Sequence, residues 1–389
     1  MTAVLLESVS AHREAMIDFT RELVAIPTEN PPGNAYREAA QLICRRLSEL
    51  GFRDTRVEGD CVLSFVGDGE RTLYFSGHYD VVPAQSPSQF DPQIKGANLF
   101  GRGSSDMKSG LAAMTYAAVA LRDAGALRNG RVGLVFVPDE ETAGPRGSRY
   151  LVERGLGAHG IAMLTPEPAG SVVWNANRGA ITLKLTVKGK TAHVGRQHEG
   201  VNAFERMLPV ANALLELKRE VETRTTRFSI QPEAARRSIL MLGGQAHSGV
   251  NFNVVPEVCS FTVDRRINPE ENFAEEKHRL LAVIDRARAG GTQIDVEVLQ
   301  EGASCGVDEN SEPGQALARA IEIVTGKPAQ FEMCPGLLEI RFYAERGIPA
   351  FAYGPGLLSV SHGPNEFVPL KRIVECAQIY ALTAAALLG

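Results

Sequence analysis

Four segments of the sequence place side chains that can bind metal ions directly after a short apolar run. They are FSGHYD (75–80), FVPDEE (136–141), LTPEP (164–168) and SHGPNE (361–366). A fifth, the glycine-rich segment GRGSSDMKSG (101–110), brings Asp106 to the start of a predicted helix. Because sites in open α/β sheets form outside the carboxyl ends of the strands, we expect these tails to converge. Two histidines and several carboxylates at one rim predict a site for divalent cations.

Each of these residues, taken singly, has an ordinary structural explanation. His78 could be a hydrogen-bonded core histidine, Asp106 a helix cap, and His362 a surface histidine. The acidic turn at 139–141 could be solvated, and Glu167 could lie in an exposed loop. Taken together, carboxylates gathered at one rim repel one another and shift toward their neutral forms unless cations balance their charge. The combined pattern therefore favours bound divalent metal ions.

The elements around these segments predict an α/β domain with three layers. Near-continuous apolar runs occur at 73–78, 132–137 and 161–164, and helical patterns occur around 5–24, 34–51 and 107–124. Apolar runs of this length, separated by helices, are typical of buried strands in a sheet covered on both faces. The later segment from Ala350 to Tyr353 is again apolar and is followed by a predicted terminal helix near 369–388, so this part of the chain has the same α/β pattern.

A second domain is predicted between these two parts of the chain. From Gly179 onward, Ile181, Leu183 and Leu185 alternate with polar residues, as expected of a strand with one solvated face. The predicted elements that follow give a β-α-β-β-α-β order: a helix near 201–219, strands near 237–243 and 257–266, a helix near 271–288 and a strand near 293–299. This order suits a two-layer, ferredoxin-like α+β domain. We therefore predict one domain from residues 1–178 and 302–389, interrupted by an inserted domain at 179–301.

Composition and charge exclude several classes of function. The 389 residues carry 41 Lys and Arg against 46 Asp and Glu, a net charge of −5, and no long basic run. Nucleic acid and anionic membrane surfaces are therefore not expected as partners. No apolar stretch is long enough to span a bilayer, and the first residues lack a signal-peptide core, so we expect a cytoplasmic protein. Neither a dinucleotide-binding fingerprint nor a G-x-S-x-G nucleophile elbow occurs.

The five segments, in this order, resemble the signature segments of a known enzyme family. The stretches GHYDVVPA, GRGSSDMKSGLAAM, PDEETAGPRGS, EP and HGPNE are similar to those of the di-zinc carboxypeptidase and deacylase family. That family includes glutamate carboxypeptidase, succinyl-diaminopimelate desuccinylase, acetylornithine deacetylase and aminoacylase. The resemblance covers the whole chain and implies a catalytic zinc-peptidase domain whose inserted domain serves as a lid and a dimerisation surface.

The resemblance implies a particular set of metal ligands. Asp106 would bridge two zinc ions, one of which takes His78 and Glu167 and the other Glu141 and His362. Nitrogen and oxygen ligands suit Zn²⁺, and Co²⁺ or Mn²⁺ are plausible substitutes. The resemblance also implies a cis peptide bond after Asp106.

Asp80 lies two residues after His78 and so on the same side of an extended segment, where it can accept a hydrogen bond from that imidazole and fix its tautomer. Further roles follow from the resemblance, which makes Glu140 the general base, free of the metals. His193 would donate a hydrogen bond to the developing oxyanion, in dimeric members from the partner subunit. In the inserted domain, Asn253 and Arg266 would hold the free carboxylate of the substrate, although the neighbouring Arg265 leaves the choice of arginine open. A homodimer through the inserted domain is expected.

The expected activity is zinc-dependent hydrolysis of an N-acyl amino acid amide or of the C-terminal peptide bond of a small substrate. Glu167 favours this side of the family, because dipeptidases and aminopeptidases tend to carry Asp there and N-carbamoyl amino acid hydrolases carry His. These activities remain alternatives, and so does a non-catalytic relative that binds peptides or amino acids, against which the retention of Glu140 speaks. The stretch Glu339-Ile340-Arg341 departs from the family pattern and leaves the acyl group open.

Overall fold

The computed structural model describes all residues from 1 to 389. The helices, in chain order, are α1 (Thr2–Ala11), α2 (Arg13–Val24), α3 (Tyr36–Glu49), α4 (Ser109–Asp123), α5 (Ser148–Glu153), α6 (Ala203–Val221), α7 (Phe273–Ala289), α8 (Glu312–Thr325), α9 (Ile340–Ala344) and α10 (Leu370–Leu388). The first strands are β1 (Asp54–Glu58), β2 (Cys61–Gly67), β3 (Thr72–His78), β4 (Gln93–Lys95), β5 (Asn98–Phe100), β6 (Arg131–Val137), β7 (Gly160–Thr165) and β8 (Val173–Asn177). The later strands are β9 (Gly179–Lys188), β10 (Ile239–Ser248), β11 (Val258–Ile267), β12 (Ile294–Gly302), β13 (Cys305–Gly306), β14 (Phe331–Cys334), β15 (Ala350–Ala352) and β16 (Phe367–Pro369).

The chain divides into two compact units. The first unit consists of residues 1–175, 307–332 and 339–389, and the second of residues 176–306 and 333–338. The second unit thus begins three residues before the predicted insertion, ends five residues after it, and takes a further short segment from the later part of the chain. No helix is both long and apolar enough to cross a membrane.

The first unit is built on a sheet with the strand order β1-β2-β6-β3-β7-β15-β8. The neighbours β6, β3, β7 and β15 are parallel, as the predicted α/β fold requires. Every residue of β3 is buried, because helices cover the sheet there. On one face the alanine-rich helix α4 is buried almost throughout, and the ring of Tyr380 on α10 lies 4.8 Å from that of Phe75.

Two helical predictions in the first unit need correction. The single helix predicted at 5–24 is two helices, since the chain kinks at His12, whose backbone N–H bonds back to the carbonyl of Val9. A three-residue hydrogen-bonded turn of this kind tightens the end of a helix, and α2 then starts again in a new direction. The helix predicted at 107–124 begins at Ser109, because Asp106 and Met107 adopt non-helical backbone angles.

The second unit has a sheet of four antiparallel strands in the order β10-β11-β9-β12. Along β9, Ile181, Leu183 and Leu185 are buried and pack with the apolar faces of α6 and α7, whereas Lys184 and Thr186 lie on the other face. The element order β9-α6-β10-β11-α7-β12 is the predicted β-α-β-β-α-β arrangement. This unit therefore has the predicted two layers, with helices on one face of the sheet.

The topology of the first unit explains why distant segments meet. The parallel strands β3, β6, β7 and β15 point the same way, so their carboxyl ends lie at one edge of the sheet. The segments 78–80, 138–141, 166–168 and 353–362 leave the sheet at that edge. A small antiparallel sheet, β16-β5-β4, stands beside the glycine-rich loop at 101–106.

Candidate active site

Two groups of potential metal ligands lie at the carboxyl edge of the main sheet. His78, Asp106 and Glu167 form one group, and Asp106, Glu141 and His362 form the other. Within each group the ligand atoms all lie within 4.8 Å of one another. These five residues are the ones that the sequence resemblance implied, and Asp106 belongs to both groups.

The carboxylate of Asp106 lies between the two histidines. Its Oδ1 atom is 3.3 Å from Nε2 of His78, and its Oδ2 atom is 3.3 Å from Nε2 of His362. The same His362 nitrogen is 3.2 Å from Oε2 of Glu141. Two ligands each about 2.0–2.1 Å from one tetrahedral zinc ion are separated by roughly 3.3 Å, so these spacings fit ligands that share an ion.

Unsatisfied polar atoms test independently whether the site fits metal ions. Nε2 of His78, Oδ1 of Asp106, Oε1 of Glu141 and Oε1 of Glu167 are buried without a hydrogen-bond partner. Buried polar atoms are normally paired, because an unpaired one costs about 1–3 kcal/mol. Here four unpaired atoms belong to residues of the two ligand groups. These residues therefore fit the coordination of cations.

The pKa shifts of the candidate ligands also fit a site for metal ions. Burial raises the pKa of the Glu167 carboxyl well above its usual range, and the nearby Glu140 raises it further. Burial also raises the pKa of Glu141, an effect that Asp106 increases. Hydrogen bonding to Asp106 and Glu141 raises the pKa of His362 to about 10. The site therefore combines buried acids that resist ionisation with histidines that attract protons, which is the arrangement that divalent cations stabilise.

Asp80 contacts both the first histidine and the acidic turn. Nδ1 of His78 lies 3.0 Å from the backbone oxygen of Asp80 and 3.4 Å from its carboxylate. The Asp80 carboxylate accepts hydrogen bonds from the backbone N–H groups of Glu140 and Glu141, at 3.2 and 3.1 Å. The imidazole thus has Asp80 as a neighbour on its side away from Asp106, and Asp80 also holds the turn that carries Glu140 and Glu141.

Glu140 adjoins the cluster without belonging to either ligand group. Its Oε2 atom is 4.0 Å from Nε2 of His78. Burial raises the pKa of the Glu140 carboxyl well above its usual range, with Glu141 and Glu339 adding to the effect and His78 opposing it. A carboxylate made more basic in this way is suited to accept a proton.

Sequence reasoning missed the residues that hold the glycine-rich loop. Glu366 is fully buried and accepts hydrogen bonds from the backbone N–H groups of Gly103, Ser105 and Asp106, at 3.0, 3.0 and 3.1 Å. The buried Arg102 binds Glu366 at 2.5 Å and also donates to the carbonyl of His362, at 3.2 Å. Glu366 is the last residue of the HGPNE motif, and this motif was the signal that could have drawn attention to it. Only the fold shows that Glu366 contacts the glycine-rich loop. The peptide bond between Asp106 and Met107 is cis, as the resemblance implied.

The remaining predicted site residues belong to the second unit. His193 is exposed and starts a short 3-10 turn, in which its Nδ1 accepts a hydrogen bond from the backbone of Gly195. The following N–H group, of Val194, donates to the carbonyl of Asn253 at 2.9 Å. The structure thus brings the segments of His193 and Asn253 side by side although they are 60 residues apart in sequence.

The two neighbouring arginines have different environments. Arg265 is buried and binds Glu271 and Glu276, with contacts of 2.5 and 2.8 Å, so its charge is already compensated inside the unit. Arg266 is partly exposed and is held by Asp264 through Nε and Nη2, at 2.7 and 2.9 Å. Arg266 is therefore the arginine with hydrogen-bonding capacity left for a ligand.

Comparison with known proteins identifies the family. Residues 74–386 match the sequence profile described as peptidase family M20/M25/M40. The chain belongs to this family. As an M20 peptidase it is a hydrolytic enzyme, and the combined motifs of the sequence predicted this membership.

Individual relatives agree with the family assignment. The chain is 30% identical over 365 residues to a succinyl-diaminopimelate desuccinylase of Azoarcus sp. (strain BH72), covering 90% of this chain and 92% of that one. Its fold is similar to that of the M20 family metallo-carboxypeptidase Sso-CP2 from Sulfolobus solfataricus, with a TM-score of 0.79, 17% identity, and coverage of 96% and 99% of the two chains. It is also similar to the Bacillus subtilis YXEP protein, a dinuclear metal binding peptidase from the M20 family, with a TM-score of 0.70, 17% identity, and coverage of 97% and 99%.

Proposed function

We propose that this M20 hydrolase cleaves the amide bond of an N-acyl amino acid, or the C-terminal peptide bond of a small substrate, with two divalent metal ions that we take to be zinc. The observation that carries the proposal is the position of the Asp106 carboxylate between His78 and His362. The unpaired Glu141 and Glu167 atoms complete a donor set for two ions that share one ligand.

The residues of the chain divide the work of hydrolysis among them. When bound, the two cations supply a Lewis-acid centre that activates water and polarises the scissile carbonyl. Glu140 accepts the proton of the attacking water and passes it to the leaving nitrogen, a role that its position beside His78 and its raised pKa support. Asp80 keeps the His78 ring and the turn of Glu140 in place.

The choice of substrate rests on three residues and one relative. We propose that Arg266, through its remaining Nη1 group, and Asn253 bind the free carboxylate of the substrate. Glu167 supports a carboxypeptidase or deacylase specificity, and the similarity to a desuccinylase favours an N-acylated amino acid with an acidic acyl group.

We further propose that residues 1–178 and 302–389 form the catalytic domain and that the inserted part is a lid through which two chains dimerise. The sheet of the second unit ends in two unpaired edge strands, β10 and β12. Beside β10, helix α6 exposes Phe204, Leu208 and Leu215, which are 47%, 44% and 40% exposed. An open sheet edge next to an apolar helix face is the kind of surface that an isologous dimer covers.

A substrate screen tests the proposed activity. The chain, loaded in turn with Zn²⁺, Co²⁺ and Mn²⁺, is incubated with N-succinyl and N-acetyl amino acids, dipeptides and N-carbamoyl amino acids, and the products are measured by mass spectrometry. We expect metal-dependent release of the free amino acid from N-acyl substrates, with no release by the Glu140→Ala variant. Turnover of dipeptides or N-carbamoyl amino acids alone would replace the proposed specificity, and no turnover in any arm would favour a binding protein.

A further inference from the structure

The buried side chain of Asn30 adjoins the candidate site and belongs to a segment that was not singled out from the sequence. Asn30 is 4% exposed and is followed by Pro31 and Pro32. Its backbone is fixed beside the continuation of β3, because the N–H of Asn30 donates to the carbonyl of Val81 at 2.8 Å and the N–H of Val81 donates to Thr28. The side chain therefore extends from a hydrogen-bonded backbone to the carboxylates of Asp80 and Asp139.

The amide group of Asn30 donates to three oxygens at once. Nδ2 lies 2.9 Å from Oδ2 of Asp80, 3.2 Å from Oδ1 of Asp139 and 3.1 Å from Oγ1 of Thr142. An amide nitrogen has two hydrogens, so one of them is shared between two acceptors. The Asn30 amide makes no hydrogen bond to a candidate metal ligand. It joins the carboxylates of Asp80 and Asp139, which hold the acidic turn at 139–141.

Asp80 and Asp139 fix opposite ends of that turn. Asp80 accepts the backbone N–H groups of Glu140 and Glu141, at 3.2 and 3.1 Å. Asp139 accepts the backbone N–H of Arg146 at 3.0 Å, which closes the loop on its far side. Asp139 itself has a φ of 72°, a left-handed conformation that a non-glycine residue keeps only when its surroundings hold it.

We propose that Asn30 is a positioning residue, whose amide clamps the Asp80 and Asp139 carboxylates together and thereby sets the position of Glu140 and Glu141. Asp80 and Asp139 are both buried, with 0% and 8% of their surface exposed, so without a shared donor their like charges repel and drive them apart. A neutral amide binds both carboxylates without adding a charge to a site that must balance its acids against cations. The inference rests on the proposed function, because Glu140 and Glu141 matter only if they serve as base and ligand.

The test compares Asn30→Ala and Asn30→Ser with the matched control Thr28→Val. Thr28 is fully buried in the same segment and donates its hydroxyl to the carbonyl of Tyr79 at 2.5 Å, so Thr28→Val removes a buried hydrogen bond and leaves every contact of the Asp80 and Asp139 carboxylates in place. The melting temperature, the affinity for Co²⁺ by spectroscopic titration, and kcat and KM on the best substrate are measured for each variant. The Asn30→Ser variant keeps a shorter donor and provides a second folded variant if alanine is not tolerated.

Both Asn30 variants are expected to bind the more weakly held Co²⁺ ion about 10–100-fold less tightly and to lower kcat by a similar factor, since supporting residues of metal sites have effects of this size. KM is expected to stay within about threefold, and the serine variant is expected to lose less than the alanine variant. Thr28→Val is expected to lower the melting temperature alone. Unchanged Co²⁺ affinity and kcat in both Asn30 variants, or equal losses in Thr28→Val, would overturn the assignment. If the wild-type chain turns over no substrate, the proposed function fails, whereas the Co²⁺ titration still decides the role of Asn30.

Discussion

The carboxylate of Glu366 accepts a hydrogen bond from the backbone N–H of Asp106 at 3.1 Å, although the two residues are 260 positions apart in sequence. The same oxygen accepts the N–H groups of Gly103 and Ser105, and Arg102 compensates the charge from the other side. Glu366 thus holds the backbone that leads into Asp106, the residue that both candidate metal groups share. The buried ion pair of Arg102 and Glu366 connects the last segment of the site with the glycine-rich loop.

Glu366→Ala is expected to lower the free energy of unfolding by about 3–5 kcal/mol, because it leaves the charge of the buried Arg102 uncompensated. Metal affinity should fall with it, since Asp106 loses its backbone anchor. Urea titration and elemental analysis measure the two effects. As a control, removing the Lys371–Glu375 pair, whose lysine is 85% exposed, should change stability by no more than about 1 kcal/mol. Equal effects of the two substitutions would contradict the role given to Glu366.

Glu140→Ala should retain two metal ions and bind substrate normally, yet lose kcat by orders of magnitude, because it removes proton transfer and leaves every candidate ligand in place. Steady-state kinetics together with metal analysis check this expectation. A variant with near-normal kcat would show that another group accepts the proton.

Asp106→Ala should behave in the opposite way and lose metal occupancy first, since both ligand groups share this carboxylate. Elemental analysis after dialysis measures the number of ions that the variant retains. Two tightly held ions in this variant would refute the bridging role.

Removing the metals should lower the melting temperature, and the chelated chain should lose further stability as the pH rises. The pKa of His362 is raised to about 10 by Asp106 and Glu141, above its ordinary value of 6.5. The interaction of protonated His362 with these carboxylates stabilises the folded chain fully below about pH 6.5, and this contribution is lost as the pH rises toward about 10. Melting curves with and without chelator across this range measure the effect, and a chelated chain that grew more stable over the same range would contradict the assignment.

His193→Ala should reduce kcat by roughly a hundredfold or more, corresponding to about 3 kcal/mol, and leave the metal content unchanged. If His193 acts across a dimer, mixing inactive His193→Ala chains with inactive Glu140→Ala chains should restore part of the activity, because one hybrid site then has both intact residues. Proven subunit exchange without any recovery of activity would mean that His193 acts in its own chain or has no catalytic role.

Some features could be predicted from local sequence because their physical signals are local. The buried strands β3, β6 and β7 are indicated by continuous apolar runs, and β9 by strict alternation. Helix boundaries came within a few residues, but the kink at His12 could not be predicted, since it depends on one backbone hydrogen bond and not on a helix-breaking residue.

That the ligand-bearing segments converge could be predicted in the same way, because the ends of parallel strands must share one edge of a sheet, whereas the particular ligand set was implied by the family resemblance. His78, Glu141 and Glu167 lie at or just after the ends of their strands, so topology alone brings them near one another. Apart from Asp80, the residues that support these ligands could not be predicted. Asn30 and Glu366 lie on segments without periodicity, and nothing in their neighbours shows which backbone groups they will meet.

The sequence by itself determined the α/β class, the inserted β-α-β-β-α-β unit and the residue types available for metal binding, because apolar periodicity and strand order are properties of short stretches of chain. Only the tertiary structure decided which carboxylates are left unpaired and which are compensated. Arg265 and Arg266 are adjacent in sequence, yet one is neutralised by buried glutamates and the other keeps a free edge. That difference arises because neighbouring side chains of a strand point to opposite faces of the sheet, so that only Arg265 is buried where it meets these glutamates.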